Sequence, residues 1–200
     1  MSFQFDNCTF ENNTAHTKYY EVLYTDVHGQ AQEGYGKGGG VGLFLDSGIH
    51  NVQVLFLGCK FFANHAFVGS GLSVHICGKT NQTTNNITVE TKSSLFESNG
   101  CNHTKYEGFG GGAHLIFDTF LERSGITNSH YLVRNVTFTD NCAKLGGGAY
   151  HFSDRDRADS SNDVLFDDCK FKQNKAHLGS AVAMTPNLFF KMSSGYPGIQ

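Results

Sequence analysis

The chain has 200 residues, which is enough for one domain with a sizeable core. Apolar residues make up 39% of the chain and charged residues 16%, with 18 Phe, so the composition excludes a disordered protein. The formal net charge is −3 and the basic residues are scattered, which argues against nucleic-acid binding. No apolar run approaches the roughly 20 residues of a bilayer-spanning helix, so no membrane span is expected.

One sequence unit recurs five times along the chain. The copies lie near residues 3–15, 54–66, 89–101, 131–143 and 164–176. Each copy alternates apolar and polar residues and then ends in an F-x-x-N motif, a pattern typical of strands with one buried face. The apolar positions recur from copy to copy, so we expect the strands to stack in parallel and in register. The sequence therefore predicts one all-β domain over residues 1–200, a parallel β-helix of about five coils with loop inserts at its corners.

The F-x-x-N motifs supply two columns of side chains that we expect to lie one above another. They are Phe10, Phe61, Phe96, Phe138 and Phe171, followed by Asn13, Asn64, Asn99, Asn141 and Asn174. Burial of each Phe contributes roughly 1.5–3 kcal/mol, so the Phe column should be a main stabiliser. Stacked Asn side chains form an amide ladder, and Asn also suits the left-handed backbone of a corner. The constant offset between Phe and Asn favours a ladder over five unrelated turn residues.

A short glycine block follows each F-x-x-N motif and predicts a second corner. The blocks begin at Gly38, Gly69, Gly110, Gly146 and Gly179. Alternation in the strand after each block predicts another buried column. Its expected members are Val41, Leu72, Ala113, Ala149 and Val182.

The outward positions of these same strands form a band rich in aromatic and apolar residues. The band consists of Phe44, His75, His114, Ile116, Tyr150 and Phe152. An exposed band of this kind usually marks a contact surface, so it is the candidate surface for a protein or glycan partner. The alternative is that inserts at 16–37, 117–130 or 153–162 fold over the band and bury it.

The F-x-x-N motifs and the glycine blocks resemble the F-x-x-N and G-G-A-[ILV] repeats of the polymorphic outer-membrane proteins of chlamydiae. The resemblance covers about residues 3–185, and it departs from the family pattern where Ser70 and Ser180 stand inside two glycine blocks. Long inserts at 16–37 and 117–130 are a second departure. The resemblance implies a right-handed β-helix stalk whose usual role is adhesion.

Six N-x-[ST] sequons suggest an extracellular compartment, because chance would give roughly two or three in a chain of this composition. The candidate glycosylation sites are Asn7, Asn12, Asn81, Asn86, Asn102 and Asn135. We therefore expect a secreted protein of the cell surface or matrix.

The six Cys form an even set that suits an oxidising compartment. Cys101 and Cys142 fall one position apart in neighbouring copies, so a disulfide between them is feasible. Cys8 and Cys59 share a buried column, where they either pair or stack as small apolar side chains. The other two cysteines have no evident partner.

Few residues suggest chemistry. The acidic residues that lie closest together are Asp154, Asp156, Asp159 and Asp163. They alternate with Arg and Ser, which is typical of a solvated loop. His75 and His114 fall on neighbouring strands without a carboxylate or Cys beside them, a poor set of metal ligands. We therefore predict no catalytic residue, no metal site and no cofactor.

The sequence predicts an extracellular structural or adhesive module that contacts a protein or glycan through a lateral face or through its inserts. The alternative is a carbohydrate-active enzyme, a polysaccharide lyase or hydrolase, on the same scaffold. Two or more carboxylates with a Lys or Arg in a groove would favour the enzyme. Open strand edges at both ends invite end-to-end or lateral self-association, and we expect the chain to be part of a longer protein.

Overall fold

The computed structural model describes residues 1–15, 38–66, 68–78, 82–101, 110–119, 125–143, 150–154, 162–177, 179–184 and 190–192. Within these ranges the chain is all-β, with sixteen strands and no helix. The described part accordingly holds no helix with the length and hydropathy to cross a membrane. In chain order the strands are β1 (Ser2–Asp6), β2 (Thr9–Glu11), β3 (Val41–Leu45), β4 (His50–Leu57), β5 (Lys60–Phe62), β6 (Leu72–Gly78), β7 (Thr84–Lys92), β8 (Leu95–Glu97), β9 (Ala113–Thr119), β10 (Ile126–Arg134), β11 (Thr137–Thr139), β12 (Tyr150–Asp154), β13 (Asp163–Asp167), β14 (Lys170–Lys172), β15 (Val182–Met184) and β16 (Phe190–Met192).

The strands form three parallel sheets, which we number in the order in which the chain enters them. Sheet 1 has the strand order β1-β4-β7-β10-β13-β16, sheet 2 has β2-β5-β8-β11-β14, and sheet 3 has β3-β6-β9-β12-β15. The chain therefore visits the three sheets in the same order five times, and β16 returns to sheet 1. We call each successive strand triplet a repeat, so that repeat 1 contains β1, β2 and β3.

Strands in sheets 1 and 2 pair in the register that the sequence predicts. In sheet 1, Phe3 pairs with Val54 and Val54 pairs with Val89. In sheet 2, Phe61 pairs with Phe96. Because neighbouring strands are in register, each buried column stays on one face through the stack. The all-β class and the parallel stacking of the sequence repeats are confirmed.

The Phe residues of the F-x-x-N motifs stack along the repeats as predicted. From Phe10 to Phe171, the centroids of successive rings lie 5.0, 4.4, 4.8 and 5.2 Å apart. The three middle rings are fully buried, whereas Phe10 and Phe171 at the ends are partly buried. Phe56 of sheet 1 meets Phe61 edge-on at 5.8 Å, so the Phe column also packs against the buried face of sheet 1.

The Asn residues of the same motifs form a continuous amide ladder. The Asn64 side chain donates from Nδ2 to Asn99 Oδ1 at 3.1 Å, and Asn99 Nδ2 donates to Asn141 Oδ1 at 2.9 Å. From Asn64 onward, each Nδ2 also donates to the carbonyl oxygen of a Phe in the preceding repeat, as Asn99 does to Phe61 at 2.9 Å. Asn64, Asn99 and Asn141 are fully buried, so these hydrogen bonds satisfy polar groups that water does not reach.

Left-handed backbone occurs one residue before each ladder Asn, not at the Asn itself as the sequence suggested. These preceding residues have φ between 50° and 56°; they are Asn12, Ala63, Ser98, Asp140 and Gln173. The ladder Asn donates its own backbone N–H along the stack, to Asn99 Oδ1 in the case of Asn64. The turn is therefore made by the preceding residue, whose type varies from repeat to repeat.

Thr91 and Ser94 interrupt the apolar columns of the sequence, and the structure shows how their hydroxyls are satisfied. Thr91 Oγ1 lies 3.1 Å from the hydroxyl of Tyr131, and both residues are buried. Ser94 Oγ accepts the Cys59 backbone N–H at 3.0 Å and donates to the Lys92 carbonyl oxygen at 2.8 Å. The hydroxyl groups of Thr91 and Ser94 are thus both hydrogen-bonded within the core, so their burial leaves no polar group of these side chains unpaired.

Candidate functional site

The candidate band on sheet 3 is exposed only in part. Phe44 in β3 is 60% exposed, but His75 in β6 is 7% exposed and His114 in β9 is 3% exposed. The rings of Phe44 and His75 meet edge-on, with centroids 5.0 Å apart. Ser73, the outward residue two positions before His75, is also buried. The expectation of an exposed surface is therefore wrong at His75 and His114, where burial matches the alternative of a covered band.

Tyr150 and Phe152 do not belong to the outward columns in which the sequence places them. Tyr150 pairs with Ala113 and with Val182, both members of the predicted buried column. Phe152 pairs with Leu115, which is fully buried. The register of β12 thus differs by one residue from the alignment of glycine blocks, and a shift of one residue exchanges the two faces of a strand.

Ile116 keeps its predicted register position, since it pairs with His75, which in turn pairs with Phe44. The register also brings His151 opposite His114, a neighbour that the sequence alignment misses.

In the part of the chain that the structure describes, no group of three or more His, Cys, Asp or Glu side chains is placed to hold a metal ion. The insert 16–37 lies outside that part, and inserts 117–130 and 153–162 are described incompletely, with strand at both ends of the former.

A second surface feature lies on sheet 1 and was not predicted. Asn51, Asn86 and Asn128 sit at equivalent positions of β4, β7 and β10, and all three are exposed. Their φ angles are 56°, 55° and 49°, so each turns its side chain out of the regular strand alternation. Asn86 Nδ2 donates to Asn51 Oδ1 at 2.6 Å, and Asn128 Nδ2 donates to Asn86 Oδ1 at 3.4 Å. We call these three residues the amide row.

The sequence carried a signal for the amide row. Each of its Asn residues stands three positions before one member of a single buried column, namely Val54, Val89 or Tyr131. A search for a second invariant offset, like the one between Phe and Asn in F-x-x-N, would have found it. The signal spans only three repeats, which makes it weaker than the five-fold motif.

An imidazole–carboxylate pair lies beside the amide row. His130 Nδ1 is 2.6 Å from Asp163 Oδ1, and His130 Nε2 is 3.0 Å from Asn128 Oδ1. Both side chains are about one-third exposed, so the pair is accessible to solvent. His130 pairs in register with Thr88, which continues a polar outward column next to the row. This part of sheet 1 therefore offers amide, hydroxyl, imidazole and carboxylate groups on one face.

The row ends in a shallow pocket of about 220 Å³ at the first edge of sheet 1. Its lining residues are Met1, Ser2, Asn51, Gln53 and Asn86. The amino group of Met1 donates to the Asn51 carbonyl oxygen at 2.7 Å. The pocket thus borders the Asn51 end of the amide row.

Four of the six predicted sequons can be located in the structure. Asn7, Asn12, Asn86 and Asn135 are all exposed, so a glycan on any of them would leave the core intact. Each has φ between 50° and 55°, which points the side chain away from a corner or strand. Asn81 and Asn102 lie outside the described residues.

The cysteines behave differently from one another. Cys101 and Cys142 form a disulfide with Cα atoms 4.8 Å apart, which confirms the feasible pairing. Cys8 and Cys59 are free thiols in this structure, which matches the alternative that they stack. Burial raises the pKa of the Cys169 thiol to about 11.

Two of the four acidic residues named by the sequence fall in the part of the chain that the structure describes. Asp154 ends β12 and Asp163 begins β13, while Asp156 and Asp159 lie outside the described residues. Asp163 is instead paired with His130.

Comparison with protein-family models, with curated proteins and with solved structures gave no match to this chain.

Proposed function

We propose that this chain is a right-handed parallel β-helix of the kind suggested by its resemblance to the polymorphic outer-membrane proteins, and that it serves as an extracellular structural or adhesive module. In this proposal the three sheets are the walls of the helix and each repeat is one coil. The main support is the ring-on-ring column from Phe10 to Phe171, which is the arrangement expected if all five repeats wind around one axis. Right-handed crossovers are the strong rule for parallel strands.

A structural role agrees with how the stack is stabilised. The Phe column and the amide ladder run without a break from repeat 1 to repeat 5. Both columns depend on neighbouring repeats, so the stack resists local opening in its middle more than at its ends. Such an arrangement suits a stiff spacer that holds a lateral face in a fixed shape.

The lateral face best suited to contact is the amide row with its neighbour His130. Its amide groups are exposed and are held in place by hydrogen bonds to one another. Neutral amides at a regular spacing form hydrogen bonds with the hydroxyl groups of glycans or with the backbone of a protein partner. Phe44 on sheet 3 is a second exposed point of contact.

An extracellular location is supported by the cysteines and the sequons. The Cys101–Cys142 disulfide persists most readily in an oxidising compartment. Asn7 and Asn135 occupy equivalent corners of repeats 1 and 4, both exposed, so glycans there would project from the same edge of the stack. Asn86 is itself a sequon in the middle of the amide row, so the contact proposed for the row requires Asn86 to carry no glycan.

A carbohydrate-active enzyme remains the second candidate, and one observation favours it. His130 and Asp163 form the kind of imidazole–carboxylate pair that can remove or deliver a proton at a sugar. A glycosidase would need a second carboxylate roughly 5–9.5 Å away across a bound sugar. Asp163 is the one carboxylate paired with His130 among the residues that the structure describes.

Binding and turnover measured on the same glycans separate the two functions. Purified, unglycosylated chain is applied to immobilised glycans and matrix proteins, and released reducing ends are assayed in parallel. The module predicts binding without release, reduced at least tenfold in the double variant Asn51→Gly and Asn128→Gly. Glycine suits the positive φ of both positions, and Asn7→Gly removes an equally exposed amide elsewhere as the matched control.

Release of reducing ends that disappears in His130→Ala and Asp163→Asn would establish the enzyme instead. Absence of binding to every glycan and matrix protein on the panel, with the fold intact by circular dichroism, would reject the adhesive role.

A further inference from the structure

Cys8 and Cys59 lie side by side where the chain turns from sheet 1 to sheet 2 in repeats 1 and 2. Thr9 pairs with Lys60, so the cysteines that precede them fall in register. The Lys60 backbone N–H donates to the Cys8 carbonyl oxygen at 2.9 Å, which holds the two segments together at this point. Neighbouring strands run about 4.8 Å apart, inside the Cα separation of roughly 4.4–6.8 Å that a disulfide allows.

Each of the two thiols donates to a carbonyl oxygen of the first repeat, and one of them is accessible. Burial raises the pKa of the Cys59 thiol, and the neighbouring Cys8 thiol adds to that rise. Cys59 Sγ donates to the Phe5 carbonyl oxygen at 3.4 Å, and Cys8 Sγ donates to the Asp6 carbonyl oxygen at 3.5 Å. Cys59 is buried, whereas Cys8 is only partly buried and can meet a reagent from solvent.

The same molecule already contains a disulfide between adjacent repeats. Cys101 and Cys142 join repeats 3 and 4 with a Cα separation of 4.8 Å. We infer that Cys8 and Cys59 are a second disulfide site, which joins repeat 1 to repeat 2 when the protein meets a small-molecule disulfide. The bond would fasten repeat 1, whose strands pair on one side only among the residues that the structure describes.

The oxidation proceeds by two thiol–disulfide exchanges. The Cys8 thiolate attacks one sulfur of oxidised glutathione, forms a mixed disulfide and expels one glutathione thiolate. The Cys59 thiolate then attacks Cys8 Sγ and expels the second glutathione. Two protein thiols lose two protons and two electrons in total, and one oxidised glutathione becomes two reduced ones.

Peptide mapping of the purified chain tests the inference. The protein is incubated with oxidised glutathione, denatured without reductant, alkylated and digested. Before oxidation, four cysteines take up the alkylating reagent, namely Cys8, Cys59, Cys77 and Cys169. After oxidation we expect the mass of the chain to show two fewer alkyl groups, and a peptide joining Cys8 to Cys59 to appear.

Variants keep the result specific. Cys169→Ser is the matched control. Cys169 belongs to the same column as Cys8 and Cys59, but its neighbour in repeat 4 is Val136. This variant should therefore form the Cys8–Cys59 bond at the unaltered rate. Cys8→Ser should form no bond, and Cys59→Ala should stop at the mixed disulfide on Cys8. Full alkylation of both thiols after prolonged oxidation, or a bond from either one to Cys77 or Cys169, would overturn the inference.

Discussion

Asn64 and Asn99 are joined through a single atom, because the backbone N–H and the side-chain Nδ2 of Asn64 both lie 3.1 Å from Asn99 Oδ1. Asn99 in turn donates from Nδ2 to the Phe61 carbonyl oxygen and to Asn141 Oδ1, each at 2.9 Å. One buried amide therefore serves three neighbours. Its replacement leaves several polar groups without partners, which makes the ladder the most direct place to test the fold.

Asn99→Ala should destabilise the protein by about 3 kcal/mol or more, since each buried group left unpaired costs roughly 1–3 kcal/mol. Urea unfolding followed by circular dichroism measures the loss. Asn174→Ala is the matched control, because Asn174 has the same role at the end of the ladder but is only partly buried. We expect its loss to be about half as large. Equal losses in the two variants would show that burial of the ladder contributes little.

Phe96→Ala should cost about 3–5 kcal/mol, the usual range for removing a fully buried aromatic ring. The ring lies between Phe61 at 4.4 Å and Phe138 at 4.8 Å, so the cavity would open inside the stack. Phe171→Ala removes the same side chain from the end of the column, where one face has no ring partner among the described residues, and should cost clearly less. The two values come from the same unfolding measurement. A Phe96→Ala loss below that of Phe171→Ala would contradict the column as a main stabiliser.

Tyr131→Phe should cost about 1 kcal/mol by leaving the buried Thr91 hydroxyl without its partner at 3.1 Å. The double variant Tyr131→Phe and Thr91→Val removes both hydroxyls and should recover most of that loss. The four proteins of this double-mutant cycle are compared by thermal or urea unfolding. Additive losses in the double variant would mean that the two hydroxyls do not depend on each other.

Cys169 should react slowly with iodoacetamide at neutral pH, because burial raises the pKa of its thiol to about 11 and only the thiolate is nucleophilic. Its alkylation rate should rise about tenfold for each pH unit between pH 7 and 10, and then level off near the pKa. Peptide mapping reports the rate at this one site, and a short cysteine peptide that levels off near pH 8.5 is the control. Circular dichroism at each pH confirms that the fold persists. A plateau for Cys169 near pH 8.5 would contradict the effect of burial.

The F-x-x-N motif predicted the stacking well because it fixes two physical demands at once. Phe10, Phe61 and their equivalents must be buried, and an Asn three residues later must reach the next repeat. A shift in strand register would disrupt the Phe column and the Asn ladder together. With five copies of the motif, only one register of the strands in sheets 1 and 2 keeps both columns intact.

The surface of sheet 3 was harder to predict for two reasons. The glycine blocks constrain a corner but not the number of residues that follow it, and Tyr150 takes the position expected for the preceding Ala. Alternation also tells which residues point outward without telling whether anything lies over them. His75 and His114 point outward and are nevertheless buried.

The direction of the ladder has a further consequence for how such a protein can change in length. Each internal ladder Asn donates to the Asn of the following repeat and accepts at Oδ1 from the Asn of the preceding one. Its Nδ2 also donates to a Phe carbonyl oxygen of the preceding repeat, so each repeat carries both halves of the joint. A whole repeat can therefore be duplicated or lost inside the stack, and the flanking repeats still find the partners they need. Length then varies in steps of about 4.8 Å while the chemistry of every internal contact stays the same.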